Sequence, residues 1–511
     1  MENKKSAPAG AGTGPGAAGK AGYNIIQHNP EKRNSTEKIT LIFEYCLKEA
    51  TPIIAENPLY RSLPNDIEQG AAFGKYFGRF VKHNNAHGFR VFDDEDGKWV
   101  MGEIADAVVK KLIEWLARQR FDFREVSDDP DAKRYAKEVQ GARSVTRIFE
   151  MLTGNASLKK LPHEFNPHKY IINMCGVARN LKTGEEWKAT PEDFFTKSAG
   201  FRSLGDYREA LKLCLTFIPF TKSILCNKQD LGEFVLMFLG YCLTGEMTEG
   251  IALFLLGLTG SNGKSTLINL LKCLLGDYCV ELPDSVIFKT NNERPFDFAD
   301  IEGVRLAVKS DVPIGVTINA GNFKNITGGD CSLRAERKFR DSFSFTPECK
   351  LIICCNNKPR LPETGGAMER RIALIPFEAD FRQSPDKHLL EKLLAEGPAI
   401  LAVLAEYARR WYKNGLPKSE TVEAASREYL LDEDQVAQFI AEKCKIDSGA
   451  RVERGELYEA FNSWLGKPIS KKTFKERLVG KGFNLSMSRE KETFNKRCFL
   501  GLRLLLEGEL Q

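Results

Sequence analysis

The apolar positions along the chain follow two patterns, and the changes between them divide it. Ile104, Ala105, Val108, Val109, Leu112, Ile113 and Leu116 recur at i, i+4 and i+8, which predicts one buried helix face. Residues 89–100, just before, read as β-like around Asp96-Gly97, a dipeptide suited to a tight hairpin turn. Phe234, Val235, Phe238, Leu239 and Cys242 return to helical spacing. From 250 to about 380, apolar runs of strand length alternate with helical segments, the pattern of an α/β domain. Ile251-Ala-Leu-Phe-Leu-Leu256 is unbroken, as a parallel strand covered on both faces requires. Val304-Arg-Leu-Ala-Val308, Leu351-Ile-Ile-Cys-Cys355 and 372–377 follow as further strands. Beyond about 418 the chain is helical again and ends in a small basic module.

Composition changes this picture at the ends. Residues 1–37 begin with a Gly-, Ala-, Pro- and Lys-rich stretch that cannot bury enough apolar surface to offset chain entropy, so a disordered tail is expected. Gly14-Pro-Gly-Ala-Ala-Gly19-Lys20-Ala21 within it imitates a phosphate loop but lacks the final Ser or Thr and any flanking strand or helix. The remaining units expected are 38–215, mainly helical; 216–418, α/β; and 432–511, a helix–helix–hairpin module. Thirteen cysteines, with no CxxC pair, argue for a reducing compartment and against a structural zinc. No run reaches the ~20 apolar residues of a membrane span and no apolar signal segment opens the chain, so a cytoplasmic, membrane-free protein is expected. A net charge of +5 over 511 residues is too small to argue for nucleic acid by itself.

The first α/β strand runs into Gly257-Leu-Thr-Gly260-Ser261-Asn262-Gly263-Lys264-Ser265-Thr266, and a helix with Leu267, Leu270, Leu271, Leu274 and Leu275 on one face should follow, stopped by Gly276. Strand, glycine-rich loop, Lys-Ser and helix together make a phosphate cradle. Backbone N–H groups around Gly260 and Gly263 face phosphate oxygens, Lys264 neutralises them, and Ser265 ligates Mg²⁺. Leu258 holds the position of the first glycine in the strict motif, with Gly257 one residue early.

Two nucleotide-hydrolysing readings compete. In a circularly permuted GTPase a guanine-reading element precedes the phosphate loop; Asn227-Lys-Gln-Asp230 and Asp300-Ile-Glu-Gly303 fit that order, although only Ile224-Leu-Cys226 offers a strand before the first. The other reading uses more of the chain. Asp311 closes the second strand, where a carboxylate can hold Mg²⁺ and the attacking water. Asn356 stands at the tip of the third, placed to orient that water, and Arg370-Arg371 precede the fourth, as an arginine finger for a neighbouring subunit would.

Taken in order, Gly260-Ser-Asn-Gly-Lys-Ser-Thr266, Arg305-Leu-Ala-Val-Lys-Ser-Asp311, Lys324-Asn-Ile-Thr-Gly-Gly-Asp330, Phe343-Ser-Phe-Thr-Pro347, Ile352-Ile-Cys-Cys-Asn356-Asn-Lys-Pro359 and Arg370-Arg-Ile-Ala-Leu-Ile-Pro-Phe377 resemble the superfamily 3 helicase domain, in the phage and plasmid primase-helicase branch related to the poxvirus primase-helicase. Gly240–Gly245 and Gly176–Gly184 resemble the helical domain that precedes that motor. The resemblance implies an AAA+-like P-loop motor with a C-terminal winged helix, acting as an ATP- and Mg²⁺-dependent homo-hexameric ring that moves 3′ to 5′ on single-stranded DNA. It assigns Lys264 and Ser265 to phosphate and metal, Asp311 to the second acidic motif, Asn356 to the sensor and Arg370 or Arg371 to the finger. Asp311 stands where the family usually has Glu, and Cys175 where Asn is common. No stretch ahead of 38–215 is long enough for a primase, so a separate chain is expected to supply one. A second class, an ATP-gated DNA-binding or remodelling protein that does not unwind, such as an origin initiator or a defence ATPase, stays open.

DNA contacts are expected in two places. Arg334-Ala-Glu-Arg337-Lys338-Phe-Arg340, between β-like flanks, suggests a basic hairpin tip, which the family places in the ring's channel. Near the C-terminus, 451–464 reads as one helix and 468 onward as another carrying Lys471, Lys472 and Lys475, with 489–497 as a wing. Residues 467–497 hold ten Lys or Arg against three Glu, +7, more than the whole chain.

Overall fold

The computed structural model describes residues 34–56, 66–124, 130, 142–257, 260–289, 295–337, 341–362, 366–466, 470–487 and 496–505. Most of the expected tail, the Gly14–Ala21 stretch, Leu258, Lys338 and most of the 489–497 wing lie outside them.

Helix α1 (Ser35–Glu56) starts inside the segment expected as tail, because Asn34 caps it: its side chain accepts from the Glu37 N–H at 2.9 Å. Next come α2 (Asp66–Phe77), an antiparallel meander of β1 (Val81–Asn84), β2 (Gly88–Asp93) and β3 (Lys98–Met101), then α3 (Glu103–Arg124) and α4 (Ala142–Leu152). The β2–β3 turn falls at Asp96-Gly97 as the sequence indicates, with Gly97 at φ +62°. On α3 the predicted stripe is buried: Ala105, Val108, Val109, Leu112, Ile113 and Leu116 pack with Ile42 and Cys46 of α1 and Phe73 and Phe77 of α2.

A second three-stranded antiparallel sheet follows, β4 (Ile171–Met174), β5 (Val177–Asn180) and β6 (Glu186–Lys188). The region expected to be mainly helical therefore carries two sheets, and 176–184, expected in a helical unit, lies in a hairpin. Strands of three to six residues are too short for their alternation to stand out beside long helical repeats. Helices α5 (Tyr207–Leu213), α6 (Phe217–Ile224) and α7 (Gln229–Tyr241) lead into the largest sheet.

That sheet is wholly parallel, in the order β13 (Ile372–Pro376), β7 (Ala252–Leu256), β12 (Lys350–Cys355), β9 (Leu306–Lys309), β8 (Cys279–Glu281). Its strands are continuous hydrophobic runs because both faces are covered. Leu253 and Leu255 face α7, α8 (Lys264–Leu275) and, later in the chain, Gly397–Asn414; Ala252 and Phe254 face α9 (Ala320–Gly328) and Tyr429. Between α9 and β12, β10 (Leu333–Ala335) and β11 (Phe343–Phe345) form the expected hairpin.

After β13 come α10 (Leu389–Ala395), α11 (Gly397–Asn414) and α12 (Glu420–Glu433). Gly240 lets α7 and α11 touch: a Cβ there would meet Ala408 N at 2.5 Å. The segment between the second and third expected units is thus a helix lying on β13, where Ser426 Oγ accepts from the Leu374 N–H at 2.9 Å. The C-terminal module consists of α13 (Gln435–Lys443), β14 (Cys444–Glu453), α14 (Arg454–Leu465), α15 (Lys471–Gly480), β15 (Leu485–Met487) and β16 (Arg497–Leu504), with sheet order β14-β16-β15. The helix expected from 451 begins at Arg454, since Val452 pairs with Phe499 in the sheet and extends the strand.

Candidate functional site

The crevice at the carboxyl ends of β7 and β12 brings together Lys264 and Asn356, two of the residues singled out from sequence. Gly257 ends β7 and donates its N–H to Cys355 O of β12 at 3.2 Å. Gly263 caps α8 at φ +85°, a conformation that favours glycine, and a Cβ would press on Ile224 of α6 at 2.4 Å. Glu396 sets α6 in place by accepting from the N–H groups of Thr216 and Phe217, at 2.6 and 2.9 Å. Ser261 O accepts from the Phe381 N–H at 2.9 Å, so the chain after β13 holds the loop.

Lys264 turns back over this loop. Its ammonium donates to Gly257 O at 2.9 Å and to Asn356 Oδ1 at 3.0 Å. The lysine and the strand-tip amide, 92 residues apart, thus meet across the ends of two strands. Burial pushes the Lys264 pKa down, and no carboxylate among the described residues pairs with it. An anion entering the crevice would supply the missing negative charge. A Cβ at Gly257 would meet Asn262 Nδ2 at 2.0 Å and Lys264 Nζ at 2.6 Å, so a larger residue there would displace both side-chain ends. Ser265 and Gly260 are exposed, Thr266 half-buried and Asn262 buried.

Asn356 owes its position to α12: Lys358 pairs with Asp432 at 2.6 Å, Glu433 accepts from the Leu361 N–H at 3.0 Å, and the Tyr429 hydroxyl donates to Pro359 O. Asp311 is exposed just beyond β9. The acid that sequence reasoning missed is Glu281, at the end of edge strand β8. It accepts from Ser310 N–H and Oγ at 2.7 and 2.8 Å and pairs with Lys272. Burial pushes its carboxyl up, but these contacts outweigh burial and hold it below the usual carboxylate value. Its only sequence signal was an acid two positions after Cys279 in a three-residue strand.

The two arginines before β13 part company. Arg371 is committed inside the chain, donating to Thr327 Oγ1 at 3.1 Å and Ala367 O at 2.8 Å, whereas Arg370 is exposed. Lys324 lies on α9, half-buried, and Asp330 is exposed just beyond it. On the hairpin, Arg334 is exposed, but Arg337 is drawn inward. It donates to Glu302 at 3.2 Å and Ala299 O at 3.1 Å and lies over the Phe343 ring at 5.7 Å. In the C-terminal module Lys471, Lys472 and Lys475 are exposed on α15, whose first turn holds no acid. Cations there face the positive end of the helix dipole, an arrangement relieved by an anion.

The elements of the permuted-GTPase reading are otherwise engaged. The chain before Asn227 is helix α6, not a strand, because Phe217, Phe220, Thr221 and Ile224 bury one helical face. Asp230 accepts from Ser419 Oγ at 2.6 Å and the Thr421 N–H at 3.2 Å. Asp300 and Glu302 flank the end of a 3-10 helix, and Glu302 contacts His87 at 2.8 Å. Among the described residues no group of three or more His, Cys, Asp or Glu side chains is arranged for a metal, and no helix is long and apolar enough to cross a membrane.

Residues 255–371, from the end of β7 to the start of β13, match the family described as "Family of unknown function (DUF5906)". The chain is 25% identical over 389 residues to "Putative helicase L207/L206" of Acanthamoeba polyphaga mimivirus, covering 69% of this chain and 40% of that protein. It is 24% identical over 312 residues to "Putative helicase 184R" of Invertebrate iridescent virus 6, covering 59% and 30%. With "Uncoating factor OPG117" of Vaccinia virus it shares 29% over 178 residues, 31% of this chain and 22% of that one. The chain therefore spans well under half the length of these relatives. The solved apo structure of the NrS-1 C terminal region aligns over 83% of this chain and 96% of its own at 12% identity, with a TM-score of 0.43, too distant to bear on function. The chain is similar, then, to proteins of large DNA viruses that carry helicase and uncoating-factor names.

Proposed function

We propose that the chain is the ATP-hydrolysing motor of a DNA helicase or translocase of the superfamily 3 type. The observation that carries this reading is the contact of Lys264 with Asn356 in a crevice at the carboxyl ends of parallel strands, the place where open α/β sheets bind ligands. Gly260 to Thr266 form the phosphate cradle, with Lys264 on the β and γ phosphates. Magnesium, which takes few protein oxygens beside phosphate, would be held by Ser265 and Asp311. Bound there, the ion supplies charge neutralisation along the phosphates. Asn356 orients the attacking water. Arg370, exposed where Arg371 is not, reaches the neighbouring protomer of a homo-hexamer as the finger.

In this reading 38–215 is an accessory unit, the motor extends from 216 through α12, and 435–505 is a winged-helix DNA binder in which Lys471, Lys472 and Lys475 meet phosphates. Lys338 and Arg334 serve the hairpin, and a separate primase acts with the motor at a phage- or plasmid-type fork in the cytoplasm. Similarity to proteins named as helicases favours strand separation.

ATP hydrolysis with magnesium, with and without single-stranded DNA, together with unwinding of a forked duplex, tests this. Hydrolysis stimulated by DNA and abolished by Lys264→Ala is expected; hydrolysis equal in that variant sinks the reading. A second reading, an ATP-gated remodeller that does not unwind, draws on Arg337 being tied to Glu302 rather than free for DNA. DNA-stimulated hydrolysis without unwinding selects it.

A further inference from the structure

The β1–β3 sheet meets the turn after α8 at a cavity of about 290 Å³. Its wall includes Asp277, which lies beyond the far end of α8 from Lys264; twelve helical residues at ~1.5 Å each put it about 18 Å from the nucleotide crevice. Five cations line the cavity: Lys38, Arg90, Lys98, Lys197 and Arg337. Three of them answer to carboxylates. Lys38 lies 2.7 Å from Asp93, Lys98 2.6 Å from Asp277 and Arg337 3.2 Å from Glu302.

Arg90 and Lys197 do not. Arg90 is 5% exposed, packs over the Phe165 ring at 4.9 Å, and leaves its Nε without a hydrogen-bond partner. Neither residue forms a side-chain hydrogen bond or ion pair among the described residues, and the nearby carboxylates are already engaged: Glu302 by His87 and Arg337, Asp277 by Lys98. Burial pushes Arg90 down to about 10 and Lys197 down from its ordinary value, outweighing the pull of Glu302 on both and of Asp277 on Lys197. At physiological pH a guanidinium keeps its proton, so the cavity holds a buried cation that no carboxylate among the described residues pairs with directly. Its chemistry selects the ligand. Carboxylates here are paired and two cations are not, which calls for an anion, and the planar guanidinium fork beside an ammonium suits a tetrahedral oxyanion.

We propose that this cavity is a phosphate-binding site, distinct from the nucleotide crevice, in which Arg90 and Lys197 hold the phosphate group. Thr196 lines the same wall, and Arg337 brings the site to the loop end of the β10–β11 hairpin. An occupied cavity would tie that hairpin to the N-terminal sheet, where the Phe343 and His87 rings already meet, tilted, with centroids 5.0 Å apart.

The test uses the full chain carrying Lys264→Ala, so that the nucleotide crevice is weakened in every sample. Thermal melting is followed against inorganic phosphate at constant ionic strength, and binding of a labelled oligothymidylate by anisotropy. Phosphate is expected to raise the melting temperature saturably, with Arg90→Gln and Lys197→Met each weakening the apparent affinity at least tenfold and Lys197→Arg restoring it. Without phosphate, Lys197→Met melts no lower than its parent, because it removes an unpaired charge and breaks no ion pair. Oligothymidylate binding that falls in step with phosphate binding assigns the site to a nucleic-acid backbone; binding that holds while the phosphate response disappears assigns it to a free phosphate. No phosphate response in the parent, or equal responses in parent and variants, overturns the proposal.

Discussion

Lys264 is held by two acceptors from different strands, and that double hold defines the chemistry expected of its neighbour. Asn356→Ala removes the amide proposed to orient water but leaves the glycine loop intact. Hydrolysis is expected to fall about 10²-fold, the scale of losing one positioned polar group in an active site, with ATP affinity changed only a few-fold. Single-turnover hydrolysis beside nucleotide titration checks it. Both residues were legible in the sequence, because a strand followed by a Gly-Lys-Ser loop and a polar residue ending an apolar run are local patterns. The choice between Arg370 and Arg371 was not legible. It depends on Thr327 and Ala367, which occupy one guanidinium and leave the other exposed. Glu281 was equally hidden, since its partners Lys272 and Ser310 belong to other elements.

At the scale of elements, the β4–β5 hairpin turns through Cys175 and Gly176, at φ +49° and +78°, between the paired residues Met174 and Val177. Two positive φ values make the mirror-image turn that suits Asn-Gly. Cys175→Asn is therefore expected to stabilise the protein by roughly 0.5–1 kcal/mol, read as a shift in denaturation midpoint, even though the Sγ–Ala199 O interaction goes. A second device clamps the end of α7. Lys350 donates to the carbonyls of Thr244, Glu246 and Glu348, and Arg305, beside it across the β9–β12 ladder, to those of Leu243 and Ile171. Burial pushes Lys350 down to about 7. Unfolded, it regains its ordinary value near 10.5, so between those pH values the unfolded chain binds the extra proton and rising pH favours the fold. The stability of the wild-type protein relative to Lys350→Met is expected to increase from pH 7 toward pH 10 and to stay level below 7. Chemical denaturation of both proteins across that range measures it.

At the scale of the whole molecule, the proposed ring would complete each site from the adjoining protomer. Lys264→Ala and Arg370→Ala are each expected to be inactive alone. Mixed in equal amounts they recover about a quarter of wild-type hydrolysis, the share of interfaces joining an intact loop to an intact finger. No recovery removes the finger assignment. For the C-terminal module, replacing Lys471, Lys472 and Lys475 by Ala should flatten the salt dependence of single-stranded DNA binding by about 0.7 in log–log slope for each phosphate no longer neutralised. An unchanged slope moves the DNA path elsewhere. By itself the sequence determined the parallel-sheet core, the loop-to-helix junction at Lys264, the hairpin and the basic C-terminal helix, because each is written in the periodicity or spacing of a few dozen neighbouring residues. Only the tertiary structure decided that 171–188 forms a second small sheet, that Arg337 turns inward onto Glu302, and that Arg90 and Lys197 share one cavity. Those outcomes depend on which charges and short strands meet across distant stretches of chain, and burial, not local pattern, selects among such pairings.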